Sequence, residues 1–434
     1  MQLMRILSVP RPNGSRAEQA TCRALQDWLS RQGIPHRLHT FRIYPYFFEA
    51  IGAWLILSRS LLALAIVLRW GWPALAIALL VLPGGLVDVA LGFPFVTWPG
   101  ARQGSNLLIE FEPPARPDTS RNGSNEPGGR SKPKQEILLA AHYDSKTELF
   151  DHRQRLFFLT KLPVGILLTI LLGIMGPVDR LLLEQGSPAA NLSYIFGVGL
   201  ALPLLFLAWG LGLNLSLGRL LSPSQGAVDN GAACAILLGL AERVQRGELA
   251  LHNSRLILAL FTGEEVNMQG SRAYVRQREW RLPACALNLE VMAQDGEYVF
   301  WERDGSVLKL VPTTASLNRL LSAVVADVTG RPAQPAGPIN SDGYSFLRAG
   351  IPAAVLGTYH SNWVDRGFHL PSDNLERVVM ARLPEGVEIL AQFVQRLDAQ
   401  PIWVQHLDPE AIIEDEIQSH AYRSTRREGR ARSR

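Results

Sequence analysis

Leu256-Ile257-Leu258-Ala259-Leu260-Phe261-Thr262-Gly263-Glu264-Glu265 is an unbroken apolar run that stops at a glycine followed by two adjacent glutamates. Its length and continuity predict a strand buried on both faces, as in a parallel sheet. Two carboxylates at one buried strand end repel each other, so the pair predicts a cation between or beside them. Adjacent residues there point in different directions. One glutamate can therefore hold a metal while its neighbour addresses a water or a substrate. Taken alone, the pair reads more simply as acids at a solvated helix N-terminus, where the dipole favours them. The remainder of the chain decides between the two readings.

Outward from this strand the pattern repeats. Residues 135–143 form a second buried run ending in His142-Tyr143-Asp144-Ser145, and residues 284–292 a third, containing Asn288-Leu289-Glu290. Further strands are expected at 106–111, 298–301 and 351–356. Helices are expected at 17–32, 229–241, from Ser271, and at 313–328, 341–350 and 375–397. Alternation of this kind predicts an α/β domain with a mostly parallel sheet, whose ligand sites lie at the carboxyl ends of the strands. His142 and Asp144, two apart on a strand, share a face. That spacing suits a metal-binding histidine oriented by a carboxylate on its other ring nitrogen. Asp229 sits just before a helix, and His369 lies in Phe368-His369-Leu370-Pro371-Ser372-Asp373, a loop after the last strand. Two histidines and three carboxylates can hold two zinc ions if one carboxylate bridges and a bridging hydroxide completes the charge balance. Glu264 is then left over beside the water, the place for a general base.

These motifs, in this order, resemble the co-catalytic zinc exopeptidases of the aminopeptidase Y and glutamate carboxypeptidase II kind, metallopeptidase family twenty-eight. Ser341-Asp342, Phe346 and Gly350-Ile351-Pro352-Ala353 resemble a further segment of that family, and the residues from Arg11 to Ser15 its N-terminal turn. The resemblance implies a three-layer αβα zinc-exopeptidase domain with a mostly parallel central sheet. It implies that His142, Asp229 and Glu290 bind one zinc, that Asp229, Glu265 and His369 bind the other, that Glu264 is the base and that Asp144 orients His142. Two Zn²⁺ are the implied cofactors, and Mn²⁺ or Co²⁺ fits the same donors. The implied activity is hydrolysis of peptide substrates, with an aminopeptidase first among the exopeptidases. Two alternatives share the fold. One is a glutaminyl-cyclase-type acyltransferase, with a single zinc on Asp229, Glu265 and His369; the other is a non-catalytic, receptor-like relative. The sequence departs from the family at Glu290, where many members carry aspartate, and in the long segment between Asp144 and Asp229.

That segment carries the second unusual feature of the chain. Mean hydropathy over 434 residues is +0.07, and the apolar excess is local. Residues 47–69 and 71–96 form one apolar pair and residues 157–176 and 185–218 another, each stretch close to the roughly 20 residues that span a bilayer. Arg59 and Asp88 weigh against the first pair, since a charge at mid-span costs roughly 2.5–3.5 kcal/mol. The predicted organisation has peptidase segments at 1–46, 97–156 (with a mobile loop at 112–135) and 219–405. Transmembrane hairpins at 47–96 and 157–218 separate them, and a disordered tail follows at 406–434. This makes an integral membrane protein of about four spans, with the lipid bilayer as a partner. Arg37, Arg42, Arg102, Arg153, Arg155 and Arg219 flank the soluble side, against Arg69 and Arg180 in the connecting loops. The bias places both termini and the catalytic domain in the cytoplasm. A net charge of +4, with arginines scattered along the chain, makes no nucleic-acid stripe. Three cysteines without paired spacing fit a reducing compartment. The sequence says nothing of oligomeric state.

Overall fold

The computed structural model describes residues 1–81, 100–113, 133–221, 223–306, 309–359 and 367–399. Among them, β1 (His36–Ile43), β2 (Arg102–Phe111), β3 (Gln135–His142), β4 (Ser254–Phe261), β5 (Ala284–Glu290), β6 (Glu297–Ser306), β7 (Lys309–Pro312), β8 (Gln334–Ile339) and β9 (Ala353–Tyr359) form one sheet. Its order is β1-β2-β4-β3-β5-β9-β6-β7, with β8 on β6. The four central strands β4-β3-β5-β9 run parallel. β1, β2, β6 and β7 extend the sheet with antiparallel pairings on both flanks.

The central strands are apolar over most of their length, as strands covered by helices on both faces are. Ile137, Leu139, Ala141, Leu256, Leu258 and Leu260 face a core completed by helices Arg16–Arg31, Ala232–Gln245, Ala315–Thr329 and Arg382–Ala399. The alternate residues Leu138, Ala140, Ile257, Ala259 and Phe261 face a second core with Tyr274 and Phe346, from helices Gln269–Gln277 and Gly343–Arg348. These are the three layers expected.

Three strands escape the sequence pattern, each for a physical reason. β1 carries His36, Arg37, His39 and Arg42 on a sheet edge, so its alternation is broken by charge. β7 has four residues. β8 contains Pro335 and Pro338, which an edge strand tolerates because one side needs no ladder donor.

Among the described residues, three helices are long and apolar enough to cross a membrane: Phe47–Val67, the run His152–Glu184 and Ala189–Leu220. Trp72–Val81 is a shorter apolar helix. The remainder of the span expected at 71–96, most of the loop expected at 112–135 and the tail expected at 406–434 lie outside the described residues. Phe47–Val67 packs along Ala189–Leu221, and Trp72–Val81 along Leu162–Glu184. Leu62, Ile66, Ala74, Leu168, Leu172 and Leu204 fill the bundle core, while Leu57, Ile195, Phe196, Leu202 and Phe206 stay exposed on its outside. At its root the bundle is built into the α/β domain. Phe47 and Ile51 pack against Val266, immediately after the glutamate pair, together with Leu215. Arg219 donates to the carbonyls of Asn13 and Pro45 at 3.0 Å each.

Candidate metal centre

β3, β4 and β5 are neighbours that run parallel, so their carboxyl ends reach one edge of the sheet. His142 is the last residue of β3 and Glu290 the last of β5. After β4, Gly263 takes a φ of +83°, and a Cβ there would lie 2.8 Å from Ile43 Cδ1. The left-handed turn suits glycine and sends Glu264 and Glu265 back across the strand ends.

Asp229 comes from the turn Ala227–Gly231, next to a cis peptide bond between Asp229 and Asn230. The carboxylate of Asp373 holds that turn, accepting the backbone N–H of Val228 (2.7 Å) and of Asp229 (3.1 Å). His369 comes from the loop after β9, with a left-handed φ of +61°. A non-glycine residue held there is typical of a backbone fixed by its surroundings for a site.

All seven residues expected from the sequence meet here. Asp229 lies between the two histidines: Oδ1 is 3.2 Å from His142 Nε2 and Oδ2 is 3.3 Å from His369 Nε2. Each Nε2 faces a further carboxylate, Glu290 Oε2 at 3.5 Å for His142 and Glu265 Oε1 at 3.1 Å for His369. Glu264 Oε2 stands back, 3.9 Å from His142 Nε2. Asp144 Oδ1 is 3.6 Å from His142 Nδ1, and its Oδ2 accepts the Glu265 N–H at 3.1 Å. Asn288 and Asn230 donate to the two oxygens of Glu290, at 2.9 and 3.2 Å.

The site is nearly closed to water, and its electrostatics follow. Burial pulls His142 down, but Glu290, Asp144 and Asp229 outweigh it and push the imidazole well above its ordinary range. Burial likewise opposes protonation of His369, and Glu265, Glu148 and Asp229 reverse it. Glu264 is raised well above the usual carboxylate range, first by burial and then by Glu265 and Glu290, against the pull of His142. Asp229 moves the other way: burial would raise it, but contact with both histidines holds it ionised.

A divalent cation fits these donors. Glu265 Oε1 is buried and lies 3.1 Å from His369 Nε2 without a hydrogen bond. Carboxylates crowded around two imidazole nitrogens in a buried site need positive charge, which a bound cation supplies in place of protons on the rings. Imidazole and carboxylate together suit zinc. His142, Asp229 and Glu265 alone bring one ligand atom each within 4.8 Å of one another.

Sequence reasoning missed a second group of residues behind the site. Glu148 is buried and takes Lys146 Nζ at 2.8 Å and Arg155 Nη1 at 3.0 Å. Its Oε1 is 3.4 Å from His369 Nδ1. Burial would raise Glu148, but Arg155 and Lys146 hold it well below the usual range. Asp373, four residues after His369, serves the site through the backbone of the Asp229 turn. Arg11 is fully buried and laces three segments together, donating to the carbonyls of Leu7 and Val9, of Tyr143 and of Gln225 and Gly226. In the sequence Arg11 stands only in the N-terminal turn of the resemblance, and nothing there announces its burial against Tyr143 and Gly226.

Comparison with known proteins adds family and fold. Residues 214–394 match the model of Peptidase family M28. No curated protein matches the chain. A Bacteroides thetaiotaomicron glutaminyl cyclase solved with N-acetylhistamine is 11% identical, with a TM-score of 0.51 over 91% of this chain and 94% of that one. A Porphyromonas gingivalis glutaminyl cyclase is 12% identical, with a TM-score of 0.50 over 91% of this chain and 95% of that one. At these identities the likeness is one of fold. A zinc aminopeptidase from Bacillus subtilis is 14% identical over 68% of this chain, with a TM-score of 0.39, and this chain spans 50% of its length.

Proposed function

We propose, from the premise that the chain belongs to peptidase family M28 through residues 214–394, that it is a membrane-anchored zinc exopeptidase, an aminopeptidase in the first instance. The observation that carries this reading is Asp229, whose two oxygens address two different histidine Nε2 atoms at 3.2 and 3.3 Å. One ion would be held by His142, Asp229 and Glu290, the other by Asp229, Glu265 and His369. When bound, the metal pair polarises the scissile carbonyl and makes water acidic enough to attack near neutral pH. Glu264 does the proton work: its Oε2 accepts the proton of the attacking water and delivers it to the leaving amine nitrogen. The C–O bond forms and the C–N bond breaks with no other donor needed. A carboxylate beside the attacking water is suited to that exchange. Asp144 keeps the His142 ring turned toward the strand ends.

Metal analysis with a peptide assay tests this. About two zinc ions per chain with release of N-terminal residues supports it. One ion with cyclisation of N-terminal glutamine points to the glutaminyl-cyclase alternative, and no ion to a non-catalytic relative.

The apolar exterior of the helical bundle, with Leu57, Phe196 and Phe206 among its exposed residues, supports membrane embedding, since large exposed apolar patches are rare on soluble proteins. The two hairpins return to the same domain, so their connecting loops share the opposite side. Positive charge then favours a cytoplasmic catalytic domain. Reporters fused at Met1 and inserted near Gly186 are expected to report opposite sides of the membrane, the first cytoplasmic. Both reporting one side would overturn the topology.

A further inference from the structure

The hairpin inserted between Asp144 and Asp229 does more at the site than leave and return. Its first helical segment, His152–Thr160, carries Arg155, and the loop before it carries Glu148. Glu148 grips His369 at two points. Its backbone N–H donates to the His369 carbonyl at 2.8 Å, pinning a residue whose φ is left-handed. Its carboxylate Oε1 faces the ring at Nδ1, 3.4 Å away. A histidine that offers Nε2 to a metal carries its proton on Nδ1, and that N–H needs an acceptor. Glu148 can accept it. Arg155 Nη1 lies 2.8 Å from the same Nδ1 and 3.0 Å from Glu148 Oε2. A guanidinium only donates, so Arg155 on Nδ1 suits the tautomer that has no free Nε2. Arg155 on Glu148 suits the one that has.

The position of Arg155 is set by the membrane helix Ala189–Leu221. Asn214 of that helix is buried, and its Oδ1 accepts the N–H groups of Leu149 (3.0 Å) and Phe150 (2.9 Å), directly after Glu148. At Gly218 the helix comes so close that a Cβ would lie 2.0 Å from the Thr147 carbonyl oxygen. At Gly210 a Cβ would strike the Phe158 ring of Arg155's own helix at 2.1 Å. Helix, loop, Glu148, Arg155 and His369 thus form one packed chain of contacts.

We propose that Glu148 is a positioning residue for His369, and that Arg155 couples the seat of the membrane hairpin to the affinity of the metal position that His369 serves. This rests on the two-metal reading above, and the test keeps the two apart.

Zinc is titrated calorimetrically into the metal-free full-length protein in lipid nanodiscs, with ion content counted separately. Wild type is expected to take two ions. Glu148→Ala is expected to keep one at wild-type affinity and to bind the other roughly 10–100-fold more weakly, the usual cost of losing such a partner. Glu148→Gln keeps the volume and a carbonyl acceptor for Nδ1–H but loses the charge, and is expected to recover only part of that loss, where a merely packing role would recover all of it. Arg155→Ala, and Asn214→Ala in the membrane helix, should weaken the same ion, whereas Asp144→Ala should weaken the other. The retained tight ion reports that each variant is folded. Wild-type affinity for both ions in Glu148→Ala and Arg155→Ala overturns the proposal, as does equal weakening of both. A wild type that takes no zinc overturns the metallopeptidase reading itself.

Discussion

Replacing Glu264 by glutamine is expected to leave the zinc content unchanged and to lower kcat by roughly 10²–10⁴-fold, the range over which general acid–base catalysis acts. Replacing its neighbour Glu265 by glutamine is expected to lose metal instead. The two side chains are adjacent in sequence and chemically identical, so the contrast is one of position. Glu265 Oε1 sits 3.1 Å from His369 Nε2, whereas Glu264 Oε2 stands 3.9 Å from His142 Nε2 as the more distant of the carboxylates around that atom. Glutamine is nearly isosteric with glutamate but has no carboxylate to take a proton. KM should therefore change little in Glu264→Gln, because the loss falls on the transition state. Near-normal turnover of a dipeptide amide by a Glu264→Gln protein that holds its zinc would remove Glu264 from the role of base.

The parts of this molecule legible in the sequence are those written in short contiguous words. Leu256 to Glu265 shows a buried strand and its functional end together because the parallel centre of the sheet is covered on both faces, so no polar alternation interrupts it. His142 and Asp144 are legible for the same reason, being two apart on one strand. β1 is not, because its charged residues belong to an exposed edge. Glu148 and Arg155 are not, because nothing in a loop and a helix start announces a histidine in a distant loop. Their meeting depends on how helix Ala189–Leu221 seats Leu149 and Phe150 on Asn214. Asp373 lay inside a quoted motif, but its service to the Asp229 turn is a backbone contact that side-chain spacing does not express.

Asp229→Ala is expected to abolish binding of both ions and, with it, the part of the stability that depends on metal. Among the described residues the carboxylate is the one group that faces both histidine Nε2 atoms, so each half of the site loses a ligand at once. His142→Ala and His369→Ala each remove a ligand from one half only. An ion that binds the folded chain alone stabilises it by about 2.7 kcal/mol at a free concentration 100 times its Kd. Two such ions give the wild type a melting temperature that falls sharply on adding a chelator. Asp229→Ala should melt at one temperature with and without chelator, and each histidine variant should keep part of the shift. Without metal, removing Asp229 costs the contacts of its carboxylate with the two histidines. With zinc present it costs those contacts and both bound ions. The chelated forms of wild type and Asp229→Ala should therefore lie closer in stability than their zinc-loaded forms. A chelator-sensitive melt and two bound ions in Asp229→Ala would mean that the ions do not share this carboxylate, and the bridged site would have to be abandoned.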